Sequence, residues 1–400
     1  MIGVEKAREI LVENTVESKT EYIEITKLNG RVLAEDIFSS IDSPPFPKSP
    51  LDGYAVRASD IEGACKDNGR KLKVIDKIYA GDVSQKIVEE GTCIRLMTGS
   101  KIPQGADCIV RQEDCVAYEN YINVHTSHKP YENYIYQGED FKKGDKILEK
   151  GILLKSSHIM GIASLGINRV LVYKKPVVGV ITTGSEIQNP GETLNPGKIY
   201  NSNGYFLSSR LIELGVEPIM FNLAEDDELN IIDGINKANE VCDIVVTTGG
   251  VSVGEKDLIE ACLVKMDYEI LFHGVDLKPG SPILAAKKEN KILVALSGTP
   301  VAAATTFELF VRPMLSKILS CEELNYKVVK GIMQDEFKKA SNKRRFLRVK
   351  IDQELENKVF IDFITQSPSQ IHTMINSNGL LEVPKGTVVN RNDEVNVILL

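Results

Sequence analysis

Three apolar runs in the 400-residue sequence end in acids, and two of those ends add glycines and hydroxyls. The first closes on Thr182-Thr183-Gly184-Ser185-Glu186, the second on Glu225-Asp226-Asp227. The third closes on Thr248-Gly249-Gly250-Val251-Ser252, with Asp257 just beyond. Glycine turns let backbone N–H groups approach and hold a phosphate. Carboxylates crowded at the same place would repel it. A divalent cation between them removes the conflict, and magnesium, which takes carboxylate, water and phosphate oxygens, suits these donors. The pattern points to metal-assisted chemistry at a phosphate or phosphoanhydride. An acid after a strand can instead cap the next helix. Three such ends on one edge, beside glycine turns, favour a site. Lys278, in Asp-Leu-Lys-Pro-Gly-Ser-Pro, is the nearest cation for an anionic substrate. The run Lys343-Arg344-Arg345-Phe346-Leu347-Arg348 is a second positive cluster or a solvated strand face.

The elements that must position these residues follow from the hydrophobic pattern. From about Pro176 onward, buried-type runs such as PVVGVITTG, CDIVVTTGG and KILVALSGTP alternate with helical stretches such as ELNIIDGINKANEV. That alternation predicts an open, mostly parallel α/β sheet with right-handed crossovers. Ligands of such sheets gather outside the carboxyl ends of the strands, where the acids and glycines fall. Residues 70 to 125 and those beyond about Tyr326 are β-rich, with short β-branched runs between turn residues. The N-terminus reads as an amphipathic helix with Val4, Ala7, Ile10 and Leu11 on one side.

Composition narrows the function classes. A net charge of −8 argues against a generic nucleic-acid binder. No apolar run approaches bilayer-spanning length and no signal-peptide core is visible, so the expectation is a cytoplasmic protein. Its seven cysteines, none in a C-x-x-C pair, are then expected to be reduced and mostly buried. There is no Walker loop and no dinucleotide-binding G-x-G-x-x-G after the first α/β strand, so standard nucleotide hydrolysis and dinucleotide redox lose support. His125 and His128 lack the cysteine or acid pattern of a zinc site. One further segment, SPPFPKSPLDGYAVR, packs four prolines into seven residues before Asp52-Gly53-Tyr54. Such a chain has few conformations to lose; it is either a rigid linker or a pre-shaped loop presenting Asp52.

The motifs together resemble the MoeA-like molybdopterin molybdenumtransferase family. The resemblance is carried, in order, by SPPFPKSPLDGYAVR, IRLMTGSKIPQGADCIVRQED, YQGEDFKKGDKIL, ITTGSEI, TTGGVSVGEKD and LKPGSP. It implies a multidomain α/β plus β chain. Residues 1–165 would form an N-terminal region with an inserted β-rich part at about 58–135. Residues 175–320 would form a molybdopterin-binding α/β domain, and 325–400 a C-terminal β-barrel. It implies a homodimer whose site is shared between subunits, with Asp52 reaching across to the partner. The implied reaction inserts molybdate into adenylylated molybdopterin with Mg2+ and releases AMP. Carried over by position, Asp52, Glu186, Asp226 and Asp257 are the catalytic acids, the last three also metal ligands. Thr98, Asp140, Thr183, Ser185, Gly249, Gly250, Ser252, Lys278 and Pro300 are the implied substrate contacts. The implied partners are a molybdopterin adenylyltransferase upstream and molybdoenzymes or their chaperones downstream, with neither nucleic acid nor membrane.

Several positions depart from the family pattern. Pro50-Leu51 replaces Ala-Met, Gly274 and Ser281 fall where basic residues are usual, Ser297-Gly298-Thr299-Pro300 replaces Pro-Gly-Asn-Pro, and Ser367-Pro368-Ser369-Gln370 replaces a glycine-serine stretch. Fewer lysines imply a weaker oxyanion pocket. The alternative reading is accordingly a molybdopterin-binding paralogue, a carrier or a tungstate-specific relative, with reduced or no insertion activity.

Overall fold

The computed structural model describes residues 1–223, 227–251, 258–352, 358–361 and 366–400. The chain divides into two units. One comprises Met1–Glu35, Lys150–Lys155 and Arg169–Leu400; the other comprises Asp36–Glu149 and Ser156–Asn168.

The first unit is built on a six-stranded sheet, ordered Glu217–Asn222, Val177–Thr182, Ile244–Thr248, Lys291–Leu296, Leu284–Lys288 and Glu269–His273. The first four strands run parallel and the last two pairings are antiparallel. The parallel strands read as continuous apolar runs because both faces are covered. Val178, Val180, Val246 and Val294 meet Leu207, Leu211, Phe307 and Phe310 on one face. Ile181, Val245 and Leu293 meet Ile231, Ile235, Ile259 and Leu263 on the other. The N-terminal helix Val4–Glu13 adds Val4, Ala7 and Leu11 to the first face, as its amphipathic spacing predicts.

The order of crossovers fixes where a ligand can bind. From Val177–Thr182 the chain crosses to Glu217–Asn222 on one side, then returns to Ile244–Thr248 on the other. The two connections leave a crevice between the carboxyl ends of the strands ending at Thr182 and Thr248.

The same unit holds a closed five-stranded barrel of Val328–Met333, Arg344–Asp352, Lys358–Phe360, Gly379–Val383 and Glu394–Leu399. Closure comes from the pairing of Arg344–Asp352 with Gly379–Val383. Met333, Leu347, Val349, Val359, Leu381 and Val397 fill its interior. The short strand Leu277–Lys278 pairs with the barrel strand at Arg344 and Arg345, which ties the Lys-Pro-Gly turn to the barrel.

The basic run at this junction is not a solvated strand face. Arg345 is 8% exposed and Arg348 fully buried. Arg348 donates from Nε to Thr373 Oγ1 (2.9 Å) and from its guanidinium to the Ser367 carbonyl (3.1 Å), and burial pushes its pKa down to about 10. Only Lys343, at the head of the run, turns toward the crevice described below.

The second unit carries a six-stranded sheet ordered Cys108–Arg111, Gly53–Val56, Thr92–Leu96, Arg70–Lys77, Tyr121–Val124 and Cys115–Ala117. Tyr54, Val56, Leu72 and Ile122 lie in one core and Ala55, Ile94, Leu96 and Ile109 in another. All seven cysteines of the chain are free, and five are buried. His125 and His128 lie in a half-buried loop, and no group of three metal-ligating side chains occurs among the described residues.

Candidate functional site

A cleft of about 690 Å³ opens at the carboxyl ends of the parallel strands in the first unit. Its floor is strand-end backbone. Thr183 N donates to Thr248 O (3.1 Å) and Gly249 N to Leu296 O (3.1 Å), so three neighbouring strand ends interlock. The approach is close enough to require glycine. A Cβ on Gly249, where φ is 99°, would stand 2.6 Å from Thr183 Oγ1. A Cβ on Gly184 would stand 2.7 Å from Glu186 Oε2, which places the Glu186 carboxylate directly over the Thr183-Gly184 turn.

Amide side chains lock this floor to the helix that follows the first strand. Asn203 Nδ2 donates to Thr248 Oγ1 and to the Gly298 carbonyl, both at 2.8 Å. Asn201 Nδ2 donates to Thr182 Oγ1 (3.1 Å), and its Oδ1 accepts from Gly204 N (2.9 Å) at the helix start. Asn201 thus satisfies a backbone N–H in the first turn of Asn203–Glu213. Pro300 opens a second helix at the cleft. There the barrel loop intervenes, with Val301 N donating to the Pro368 carbonyl (3.0 Å).

Two lysines face this floor. Lys278 is exposed on the cleft. Lys343, from the barrel, also lines it, and its Nζ donates to Ser281 Oγ. Among the described residues Lys343 has no carboxylate partner; its other contact is Met1 Sδ at 3.2 Å. Lys343 thus brings an ammonium group to Ser281, the position at which the family resemblance implies a lysine.

The sequence-derived residues divide into three groups. Thr183, Glu186, Gly249, Gly250, Lys278 and Pro300 line the cleft together, with Ser185 exposed beside Glu186. Asp226, Ser252 and Asp257 lie outside the described residues. Asp52, Thr98 and Asp140 belong to the second unit. The alternative of helix capping holds for Asp227, whose Oδ1 accepts from Asn230 N (3.0 Å). It does not hold for Glu186, which precedes the short strand Ile187–Gln188 rather than a helix.

Within the second unit, the proline-rich loop gathers its motifs. Asp52 Oδ1 accepts from Thr98 N and Oγ1, both at 2.7 Å. Those bonds, the backbone one foremost, hold the Asp52 carboxyl below the usual range. Ser49 exchanges backbone hydrogen bonds with Gly99 and Ser100, Ile102 N donates to Pro47 O (2.9 Å), and Asp140 N donates to Ser43 O (2.9 Å). Stiff, extended residues before each proline leave the loop's backbone groups free to be tied on both sides.

Sequence reasoning missed Asn342 and the clamping role of Asn203, and it named Thr182 and Pro368 without assigning either to the site. Asn203 carried a signal, since an amide at a helix start beside a glycine turn can reach the adjacent strand end. Pro368 carried none, because its place depends on how the barrel docks.

The chain matches three family descriptions in order. These are the MoeA N-terminal region (domain I and II) over residues 2–166, a probable molybdopterin binding domain over 179–317, and the MoeA C-terminal region (domain IV) over 330–400. A molybdopterin molybdenumtransferase of Staphylococcus epidermidis is 36% identical over 386 residues, covering 96% of this chain and 92% of the relative. One from Staphylococcus aureus is 37% identical over 349 residues, covering 87% and 83%. A molybdopterin biosynthesis MoeA protein structure from Pyrococcus horikoshii superposes with a TM-score of 0.88 at 31% identity, covering 100% of this chain and 99% of the other. A second structure from that organism gives 0.84 at 32% identity, covering 100% of both.

Proposed function

The chain belongs to the MoeA family, and on that premise we propose that it is a molybdopterin molybdenumtransferase that inserts molybdate into adenylylated molybdopterin and releases AMP. The observation that carries this reading is the cleft itself. It sets two lysines, Lys278 and Lys343, against glycine and threonine strand ends and the Glu186 carboxylate. An anionic substrate needs both halves. Backbone N–H groups at the Gly184 and Gly249 turns hold phosphate oxygens. The ammonium groups hold the oxyanion that enters.

The donors at the acidic end are oxygen throughout, which fits magnesium, a cation that commonly takes one or two carboxylates and completes its shell with water and substrate phosphate. Glu186 would be one ligand, and Asp226 and Asp257 are proposed as the others. When bound, the cation neutralises charge on the phosphoanhydride. Glu186, held over the Gly184 turn, orients the donor set; Lys278 and Lys343 keep the oxyanion close. We place Asp52, with Thr98 and Asp140, in the same reaction as residues supplied by the partner subunit of a homodimer. The pinned proline loop supports this, because a group pre-ordered on a stiff loop costs little further entropy when the site assembles. The position of Lys343 on Ser281 favours the transferase over a carrier paralogue, since it restores the missing cation.

The test is to incubate the purified protein with adenylylated molybdopterin, magnesium and molybdate, and to measure AMP and metallated cofactor together. Equal release of both is expected. AMP without metal in the cofactor, or neither product, overturns the reading.

A further inference from the structure

The short strands Ile187–Gln188 and Ile199–Tyr200 form a parallel pair in register, Ile187 beside Ile199 and Gln188 beside Tyr200. Successive strand residues point to opposite faces. The Gln188–Tyr200 face is occupied by the connecting segment. Gln188 Nε2 donates to Thr193 O (2.6 Å), Gln188 Oε1 accepts from Asn195 N (3.2 Å), and Tyr200 OH donates to Glu192 O (2.8 Å). The two isoleucines share the other face, and both line the cleft. Ile199 is 56% exposed there. The pair is also fixed relative to the acidic end, because Ile199 N donates to Glu186 O (2.8 Å).

Exposed Ile199, with half-buried Ile187 beside it, puts a branched aliphatic strip next to the Thr183-Gly184 turn and the Glu186 carboxylate. Nothing polar can use it, whereas the flat face of an aromatic ring covers such a strip well. Strand spacing of about 4.8 Å sets the two side chains abreast, a width that one or two fused rings span. We propose that Ile187 and Ile199 form an apolar shelf for the flat face of a heteroaromatic ring of the substrate. This rests on the transferase reading, in which the substrate carries two such rings, a purine and a pterin, joined through the phosphates that Glu186 faces. The shelf makes Ile199 a specificity-determining residue. It selects the ring, while the lysines and glycine turns select charge.

The experiment measures binding of AMP and, separately, of 6-hydroxymethylpterin by calorimetry, with molybdate as a third probe. The proteins are the wild type, Ile199→Ser and Ile199→Leu. Losing the apolar contact is expected to weaken one ring ligand about tenfold in Ile199→Ser. Ile199→Leu, which keeps the area, stays near wild type, and molybdate affinity is unchanged in both. Weaker AMP assigns the shelf to the purine, weaker pterin assigns it to the pterin, and loss of both means it accepts either. Wild-type binding of a ring with no change in Ile199→Ser overturns the shelf but leaves the transferase standing. A wild type that binds neither ring overturns both.

Discussion

Asp52 Oδ1 accepts two hydrogen bonds from Thr98, one from the backbone N–H and one from the hydroxyl, each 2.7 Å long. Both favour the charged carboxylate, and the carboxyl accordingly sits below its ordinary value. A depressed carboxyl contributes stability above the unfolded-state pKa and loses it as pH falls through the folded one. Thr98→Val keeps the backbone donor and removes the hydroxyl. Asp52 should then titrate at higher pH in a carboxyl-carbon NMR titration, though still below an unpaired aspartate, because the backbone bond is the larger cause. If Asp52 acts as the anion, the acid limb of the activity profile moves up with it. An unmoved Asp52 resonance would show that the hydroxyl contributes nothing.

Glu186→Gln keeps the shape of the cleft and removes the charge proposed to hold a cation. Turnover should fall by about two orders of magnitude or more, with a much smaller change in affinity for the adenylylated substrate, since the lost interaction matters most as charge develops on the leaving phosphate. Quench-flow detection of AMP, paired with equilibrium binding, separates the two effects. A variant that releases AMP at the wild-type rate removes Glu186 from the chemistry.

The contrast between these two acids shows what sequence alone could and could not reach. The strand ends at Thr182 and Thr248 were legible because parallel, doubly covered strands leave unbroken apolar runs, and glycines mark where they stop. The whole helix Glu228–Val241 was readable from its period. The fate of the basic run was not. Lys343 and Arg348 are separated by four residues, yet one lines the cleft and the other is buried on the outer face of the barrel strand against Ser367 and Thr373. Strand alternation cannot reveal this, because it does not say what packs over the outer face of a closed sheet. Lys343 reaching Ser281 is likewise a product of docking, as is Pro368 accepting from Val301, and neither leaves a local pattern.

The contact of Lys343 with Ser281 gives a rescue experiment. Lys343→Met should weaken molybdate binding about tenfold at low salt, and less at high salt as screening removes what the charge contributed. Adding Ser281→Lys to that variant puts an ammonium group back beside the same point and should recover most of the loss. Equilibrium dialysis against molybdate measures both. Unchanged affinity in the single variant, or no recovery in the double one, separates Lys343 from the oxyanion.

Stability rests in part on a buried charge cluster behind the cleft helices. Glu308 is 1% exposed, pairs with Arg210 through Nε at 2.6 Å and with Arg312 at 2.9 Å, and lies in the π-helical turn Phe307–Val311. Removing one member of such a cluster strands the others. Glu308→Ala should therefore cost about 3–5 kcal/mol, read as a large fall in the urea midpoint. A midpoint within error of wild type would mean that water or a rearranged neighbour takes over both guanidinium groups.

The proposed sharing of one site between subunits makes a demand that a self-sufficient subunit does not. Asp52→Ala and Glu186→Ala should each be inactive as homodimers. In a mixed dimer, one of the two sites would take its Asp52 from the subunit that lost Glu186, and its Glu186 from the subunit that lost Asp52. That site would be intact. Random assortment makes half the dimers mixed, each with one working site, so co-expressed and co-purified variants should regain about a quarter of wild-type activity. If both residues instead served a site within one subunit, every site in the mixture would lack one of them and no activity would return. Light scattering on the same sample checks that the dimer has formed, and the recovered fraction then distinguishes the two arrangements without any structure of the assembled pair.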